Sequence, residues 1–361
     1  MPGGAVVTAG HRLAFVVFAA AAVAGCASAP KMPAAGSYSD IILVAAPQVP
    51  AAAVASLRAA LEAPLSYVGE AEPHFRVTLL PESRLGRERF HKNLILVAFH
   101  DGRGPAAALV RRLLTDDDEA RLRRDGAAGF AFDAPFARWQ RVVAFAAATP
   151  AQVETLLREA GPRLAHEMET SAMARQQDEL LVGPDDEARA ARLRAAFGFE
   201  VRAPRDYTES GSPGEWRDAV QLARPGPTRL LTVFWIDGVE AAQAGRSEFV
   251  LGLQRDALWR LHGDLLLAST ARVEAGRLGA HAGLVLHGTW QNPAEVAGGP
   301  LETYFVHDAA RRRLYGIQLQ VFAPGKPKHA AMRELRTLAA TFRCVAARPA
   351  AAGAAPARRA A

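Results

Sequence analysis

The chain has 361 residues, half of them hydrophobic, and a formal net charge of +6. It is long enough to bury a sizeable core and to divide into two domains. Arg12 sits in an N-terminal leader and Arg348, Arg358 and Arg359 in an Ala/Pro-rich tail; without these four, residues 27–345 carry only +2. No basic block is interleaved with aromatics, which excludes nucleic acid as a partner.

The first feature along the chain is an apolar run of eleven residues, Leu13–Val23. As a helix it reaches about 16 Å, whereas a bilayer core of about 30 Å takes about 20 apolar residues to cross. The run therefore reads as an export signal and not as a spanning anchor. Its flank carries one basic residue, Arg12, and it ends in Val23-Ala24-Gly25-Cys26. This resembles the signal peptide and lipobox of a bacterial lipoprotein, in which residues 1–25 are removed and Cys26 becomes a lipid-bearing N-terminus. A rival cut after Ala27-Ser28-Ala29 would release a chain beginning at Pro30. Two or more acyl chains anchor a protein stably, where one holds only marginally. The membrane is thus the expected partner, through lipidated Cys26. Ala27 is not the aspartate that retains some lipoproteins in the inner membrane, so the outer membrane is expected in a host with two. Residues 26–38 are small, polar and proline-bearing, and read as a tether.

Residues 39–182 read as a first α+β domain. Asp40–Ala45 and Asn93–Phe99 are apolar runs with the look of buried strands, and Phe75–Leu79 alternates. Ala51–Leu61 and Ala106–Leu114 have helical spacing, and the acids of Asp116–Glu119 suit a helix N-terminus. Arg138–Ala147, with Trp139, reads as a strand. Thr149-Pro150-Ala151-Gln152 then combines a cap, a first-turn proline and a capping box. The helix it starts runs towards Leu181, with an interruption expected at Gly161-Pro162. Gly183-Pro184-Asp185-Asp186 marks a domain boundary.

Residues 183–345 read as a second α+β domain of sandwich type. It opens with the helix Glu187–Phe197, closed by Gly198. Leu230–Ile236 reads as a strand, Glu248–Leu261 as a helix and His281–Trp290 as an alternating strand. Tyr304–His307 and Arg313–Phe322 form a hairpin around Asp308–Arg312. The helix Pro327–Phe342 places Met332, Leu335, Leu338 and Phe342 on one face. Hairpin-like connections predict largely antiparallel sheets packed against helices. Residues 346–361 have no apolar periodicity and read as a disordered tail.

No motif names a reaction, a metal or a cofactor. His166-Glu167-Met168-Glu169-Thr170 begins like a zinc-binding helix and lacks the second histidine, so its charges read as a solvated face. Ala323-Pro324-Gly325-Lys326 lacks the upstream glycine of a phosphate loop. Cys344 follows an amphipathic helix and reads as a structural thiol. His281 and His287 share strand parity, which fits an exposed sheet face or one pocket. Trp290 beside Gly298-Gly299-Pro300, with Tyr304 returning on the next strand, reads as a core bend or as one wall of a binding surface. Arg255 and Asp256 complete that candidate surface, or pair on a helix.

Glu72-Pro73-His74-Phe75, Phe90-His91-Lys92-Asn93, Arg255-Asp256, Gly288-Thr289-Trp290, Gly298-Gly299-Pro300 and Ala323-Pro324-Gly325-Lys326 follow one another in the order seen in a known family. The chain resembles the domain of unknown function 4837 family of envelope lipoproteins over most of residues 38–343, with His287 standing where an arginine or another polar residue is expected before Gly288. The resemblance implies location and architecture and transfers no catalytic residue. The second half is also similar in fold type to PsbP/Mog1 sandwich domains, mostly binding modules. The favoured function is a non-catalytic envelope protein that binds an envelope protein or ligand or stabilises an assembly. The alternative is an envelope hydrolase whose site assembles only in three dimensions.

Mass spectrometry of the mature N-terminal peptide should find it beginning at acylated Cys26, and Cys26→Ser should leave the chain unlipidated. An unmodified peptide beginning at Pro30 would overturn the lipobox reading.

Overall fold

The computed structural model describes residues 30–65 and 71–345. The leader, Cys26, the first residues of the tether and the tail from 346 lie outside the described residues. Five strands form the first sheet, in the order Arg76–Leu80, Asp40–Ala45, Asn93–Phe99, Arg141–Ala147, Ala127–Asp133. Three of its four pairings are parallel, and the edge strand Ala127–Asp133 alone runs antiparallel to its neighbour. This corrects the expectation of antiparallel pairing for the first half. Parallel neighbours need crossover elements, and Ala51–Leu61 on one face and Pro105–Leu113 with Asp116–Asp125 on the other supply them.

Both faces of this sheet are consequently covered. Ile41, Leu43, Ile95, Val97 and Phe145 pack towards Leu57, Leu61, Leu157 and Met168. Their neighbours Ile42, Val44, Leu94, Leu96 and Ala144 pack towards Ala107, Val110 and Leu122. Every residue of Asn93–Phe99 is buried, the pattern of a strand with no wet face.

The second sheet has eight strands and is antiparallel throughout. Its centre is the meander His281–Asn292, Ala297–Asp308, Arg313–Phe322, flanked by Thr228–Asp237 on one side and Arg272–Leu278 with the short edge strand Leu265–Leu266 on the other. One face carries Ile317, Leu319 and Val321 against Met332, Leu335 and Leu338 of the last helix, His329–Ala339. The other carries Phe234, Leu286, Trp290 and Phe305 against Val250, Leu258 and Leu261 of the helix Ser247–His262. Mixed helices and antiparallel strands make this lobe α+β, as the sequence predicts.

The long helix Pro150–Leu180 joins the lobes. Its start is the predicted capping box: Thr149 Oγ1 accepts from the Gln152 backbone N–H at 3.3 Å, and Gln152 Oε1 accepts from the Thr149 N–H at 3.1 Å. Gly161-Pro162, expected as an interruption, lies inside the continuous helix. A Cβ at Gly161 would meet Ala60 Cβ at 3.0 Å, so this glycine serves the close approach of Ala51–Leu61. No helix among the described residues is long and apolar enough to cross a membrane.

Gly298-Gly299-Pro300, expected as a loop, belongs to the strand Ala297–Asp308, and the turn falls earlier, at Pro293–Val296. The reason is space: a Cβ at Gly299 would stand 1.9 Å from the Val321 carbonyl oxygen of the adjacent strand. Gly299→Ala should therefore destabilise the second lobe by about 1–3 kcal/mol. An unchanged urea midpoint would show that the strands part freely there.

Candidate functional site

The lobes meet where the long helix lies beside the last helix, and one carboxylate organises the contact. Glu169 Oε2 accepts from Arg333 Nε at 2.8 Å and lies 2.7 Å from Arg333 Nη2. His74 Nε2 stands 3.3 Å away and His329 Nε2 3.6 Å. Arg333 is 1% exposed. It donates from Nη1 to Ser39 Oγ at 2.8 Å, and Nη2 lies 2.7 Å from His329 Nε2. A guanidinium only donates, so that histidine nitrogen accepts and its proton sits on Nδ1. The Phe75 ring faces the guanidinium at 5.4 Å and stacks on His74 at 4.7 Å. From the same first-lobe stretch, Glu72 accepts the backbone N–H groups of Lys328 and His329 at 2.8 and 2.9 Å. A first-lobe carboxylate thereby caps a second-lobe helix, where its charge meets the positive end of the helix dipole.

Burial alone would raise the Glu169 carboxyl, but a bond from His74 and the charge and bond of Arg333 outweigh it and hold the acid well below the usual range. Burial lowers His329, with Arg333 adding to that. His74, Glu169 and His329 present ligand atoms within 4.8 Å of one another, a two-histidine, one-carboxylate set of the kind that holds divalent cations. Arg333 stands where that cation would go. Its fixed charge repels a second cation and its N–H groups occupy the lone pairs a metal would need.

The zinc-like start His166-Glu167 does not join this cluster; Glu169, two residues on, does. His74 and His329 are 255 positions apart, so no spacing rule could pair them. The segments Glu72-Pro73-His74-Phe75 and Ala323-Pro324-Gly325-Lys326, each singled out in the sequence, lead into the two sides of this one contact.

A second ionic knot lies on the last-helix face of the large sheet. Glu302 accepts from Arg336 Nη2 at 2.7 Å, with His287 Nδ1 at 3.4 Å. Burial opposes its charge, but Arg336 and His287 hold Glu302 well below the ordinary range, and the bond to Glu302 raises His287. On the opposite face, buried amides form a chain. Gln254 Nε2 donates to Gln318 Oε1 at 2.7 Å, Gln318 to Gln320 at 2.6 Å, and Gln320 to Asp264 Oδ2 at 2.8 Å. Each amide donates to the next group along the chain, while Gln254 Oε1 finds no partner among the described residues.

The predicted binding-surface residues do not form one wall, which corrects that expectation. Trp290 is 5% exposed and packs in the core beneath the helix Ser247–His262. It pairs with Gly299, five residues before Tyr304, and an odd offset puts the two aromatics on opposite faces. Tyr304 donates its hydroxyl to Glu302. Gly298, Gly299 and Pro300 are ladder residues. Arg255 and Asp256 are exposed on Ser247–His262, where Asp256 accepts from Arg260 at 3.4 Å, beside Trp259, itself 60% exposed. Burial pushes the half-buried Cys344 thiol up to about 12, so it stays protonated and unreactive near neutral pH.

The concave feature absent from the sequence reading lies on the first lobe. A cleft of about 650 Å³ opens between the long helix and residues 134–140, lined by Asp133, Trp139, Arg141, His166, Glu167, Thr170 and Asp178 among others. Trp139 was expected in a strand from Arg138; the strand begins at Arg141, and Trp139 has φ +60°, with Ala134 at +49°. Buried bonds pin this loop. Arg175 Nη1 donates to the Trp139 carbonyl at 2.9 Å, and Gln140 Nε2 donates to the carbonyls of Arg89 and His91 at 2.6 and 2.8 Å. A larger cleft of about 980 Å³ in the second lobe is lined by Arg194, Arg217, Arg311 and Arg313. Glu200, Asp308 and Asp237 already pair with three of these.

Residues 268–341 match the model of the family described as Domain of unknown function (DUF4837). No curated protein matches the chain. Among solved structures, a protein of Bacteroides thetaiotaomicron VPI-5482 aligns at 11% identity and TM-score 0.28, over 41% of this chain and 45% of that one. The chain thus spans less than half the length of that protein. A point mutant of the protein Mog1 aligns at 12% identity and TM-score 0.29, over 41% of this chain and 91% of its own. LpqN, described as involved in cell envelope biogenesis of Mycobacterium tuberculosis, aligns at 13% identity and TM-score 0.27, over 40% and 81%.

Arg333→Met removes the fixed counter-charge of the largely buried Glu169 and leaves it only the bond from His74. It should cost about 3–5 kcal/mol in urea unfolding, and Trp290→Ala about 3–5 kcal/mol. Melting near that of the wild type would remove either residue from the core.

The pH dependence has a definite sign. Folding lowers His91, His281 and His329 from 6.5, and His262 to about 4, by burial in each case. The unfolded chain then binds more protons, so their contribution is lost as pH falls below 6.5. His287, raised, acts the other way. Glu169 and Glu302 add a further loss below their ordinary 4.5. The urea midpoint should fall steadily from about pH 7 to about pH 4; a midpoint that rises on acidification would contradict these assignments.

Proposed function

We propose that the protein is a lipid-anchored envelope protein acting as a non-catalytic binding or assembly module; residues 268–341 match the model of a domain of unknown function. The observation that carries the reading is the state of Glu169. A catalytic acid or base needs a proton that can come or go near neutral pH. Glu169 is instead locked as a carboxylate by Arg333, so the histidine–carboxylate cluster is spent on joining the lobes. The lipobox supports attachment through Cys26, and Ala27 supports the outer membrane. Residue 183, between the helices ending at Leu180 and starting at Pro184, is the proposed domain boundary.

Capture of the lipidated chain from solubilised outer membranes should recover a reproducible partner or ligand, and Cys26→Ser should move the protein to the soluble fraction. Turnover of ester, peptide or glycoside substrates by the purified chain, abolished by Glu169→Gln in a folded variant, would replace this reading with the hydrolase alternative.

A further inference from the structure

We infer that the cleft beside Trp139 is a binding site for a neutral, hydroxyl-rich ligand of the saccharide class. The inference rests on the binding-module reading and names its ligand. At about 650 Å³ the cleft falls within the range of about 300–1,000 Å³ usual for small-ligand sites. Its wall combines a flat apolar surface, the half-buried indole of Trp139, with polar groups brought in by the long helix. His166, Thr170 and Asp178 all come from the long helix, and successive steps of four along it carry the polar lining round the cleft.

The polar groups select the ligand chemistry. Two arginines, Arg141 and Arg175, stand against three carboxylates, Asp133, Glu167 and Asp178. Asp133 already accepts from Arg141 at 2.8 Å, and Glu167 lies 3.7 Å from Arg163 Nη2. Little net charge is left to attract an ion of either sign. Hydroxyl groups both donate and accept, so one polyol can satisfy carboxylate, threonine and imidazole together. The ring-hydrogen face of a sugar is apolar and buries well on an indole.

Backbone conformation points to the same place. A positive φ is sterically costly for a residue as bulky as tryptophan, and no glycine or asparagine stands at 139 to relieve it. The conformation persists because Arg175 and Gln140 over-determine the loop through the buried bonds already described. Arg138, which does not line the cleft, covers one face of the indole at 4.3 Å. The ring is thus held at the cleft wall before any ligand arrives, which lowers the entropic cost of binding.

The test titrates maltohexaose and chitohexaose into the mature lipidated chain, in a detergent without a sugar headgroup, by calorimetry. At least one hexasaccharide should bind with a micromolar to millimolar Kd. Trp139→Ala and Asp178→Ala should each weaken it about tenfold, Trp259→Ala should leave it unchanged, and tetramethylammonium should not compete. Asp178 is exposed, so its variant decides the matter should Trp139→Ala fail to fold. The inference falls if neither sugar binds at millimolar concentration, if folded Trp139→Ala and Asp178→Ala bind as the wild type does, or if tetramethylammonium displaces the sugar. A captured partner with no sugar bound would overturn this inference alone. Release of new reducing ends would overturn the non-catalytic reading and leave the site standing.

Discussion

The guanidinium of Arg333 is the constraint on which the arrangement of the lobes depends. It sits in the last helix, almost wholly out of water, and its charge is tolerable there only because other segments come to meet it. Glu169 of the long helix supplies the counter-charge and Ser39, at the entry to the first sheet, supplies an oxygen. The planar fork of an arginine fixes direction as well as distance. A buried ion pair of this kind contributes little net stability compared with well-packed apolar side chains, because desolvation offsets most of the attraction. Its effect is on register: a slide of either helix by one turn would strand a charge. Glu72 reinforces it by capping the last helix from the first lobe.

The long helix is the element through which that constraint reaches the rest of the molecule. Its 31 residues extend about 46 Å, and helical periodicity divides the surface. Leu157, Leu164, Ala165 and Met168 face the first sheet. Glu169 and Gln176 turn towards the last helix, where Gln176 Oε1 accepts from Thr337 at 3.4 Å. His166, Thr170 and Asp178 turn towards the cleft. One element thus buries an apolar stripe, carries the inter-lobe ion pair and presents a polar wall. Arg175, bonded to the carbonyls of Lys92 and Trp139 and to Asn93, ties that wall to the end of a central strand.

Much of the secondary structure was legible because local chemistry set it. The Thr149–Gln152 box, the glycine after Phe197 in the left-handed region and the hairpin about Asp308–Arg312 rest on contacts within a few residues. Pairing direction was not legible in the same way. Asp40–Ala45 and Asn93–Phe99 showed as apolar runs, yet an apolar run does not say whether its neighbour is parallel. Glycine misled for a related reason. Gly161 and Gly299 read as breaks, but each is a point where a second backbone or side chain comes too close for a Cβ, and only the partner's position reveals that.

The sequence by itself determined the balance of helix and strand, the antiparallel second lobe and the capped starts and ends of its helices. These are encoded in composition, periodicity and short-range order. Tertiary structure alone decided that Glu169 meets His74, His329 and Arg333, that Trp290 lies inside while Tyr304 lies on the other face, and that Trp139 stands at the wall of a cleft. Each of these depends on residues far apart in the chain, and no local free energy links such residues until the sheets and helices have packed.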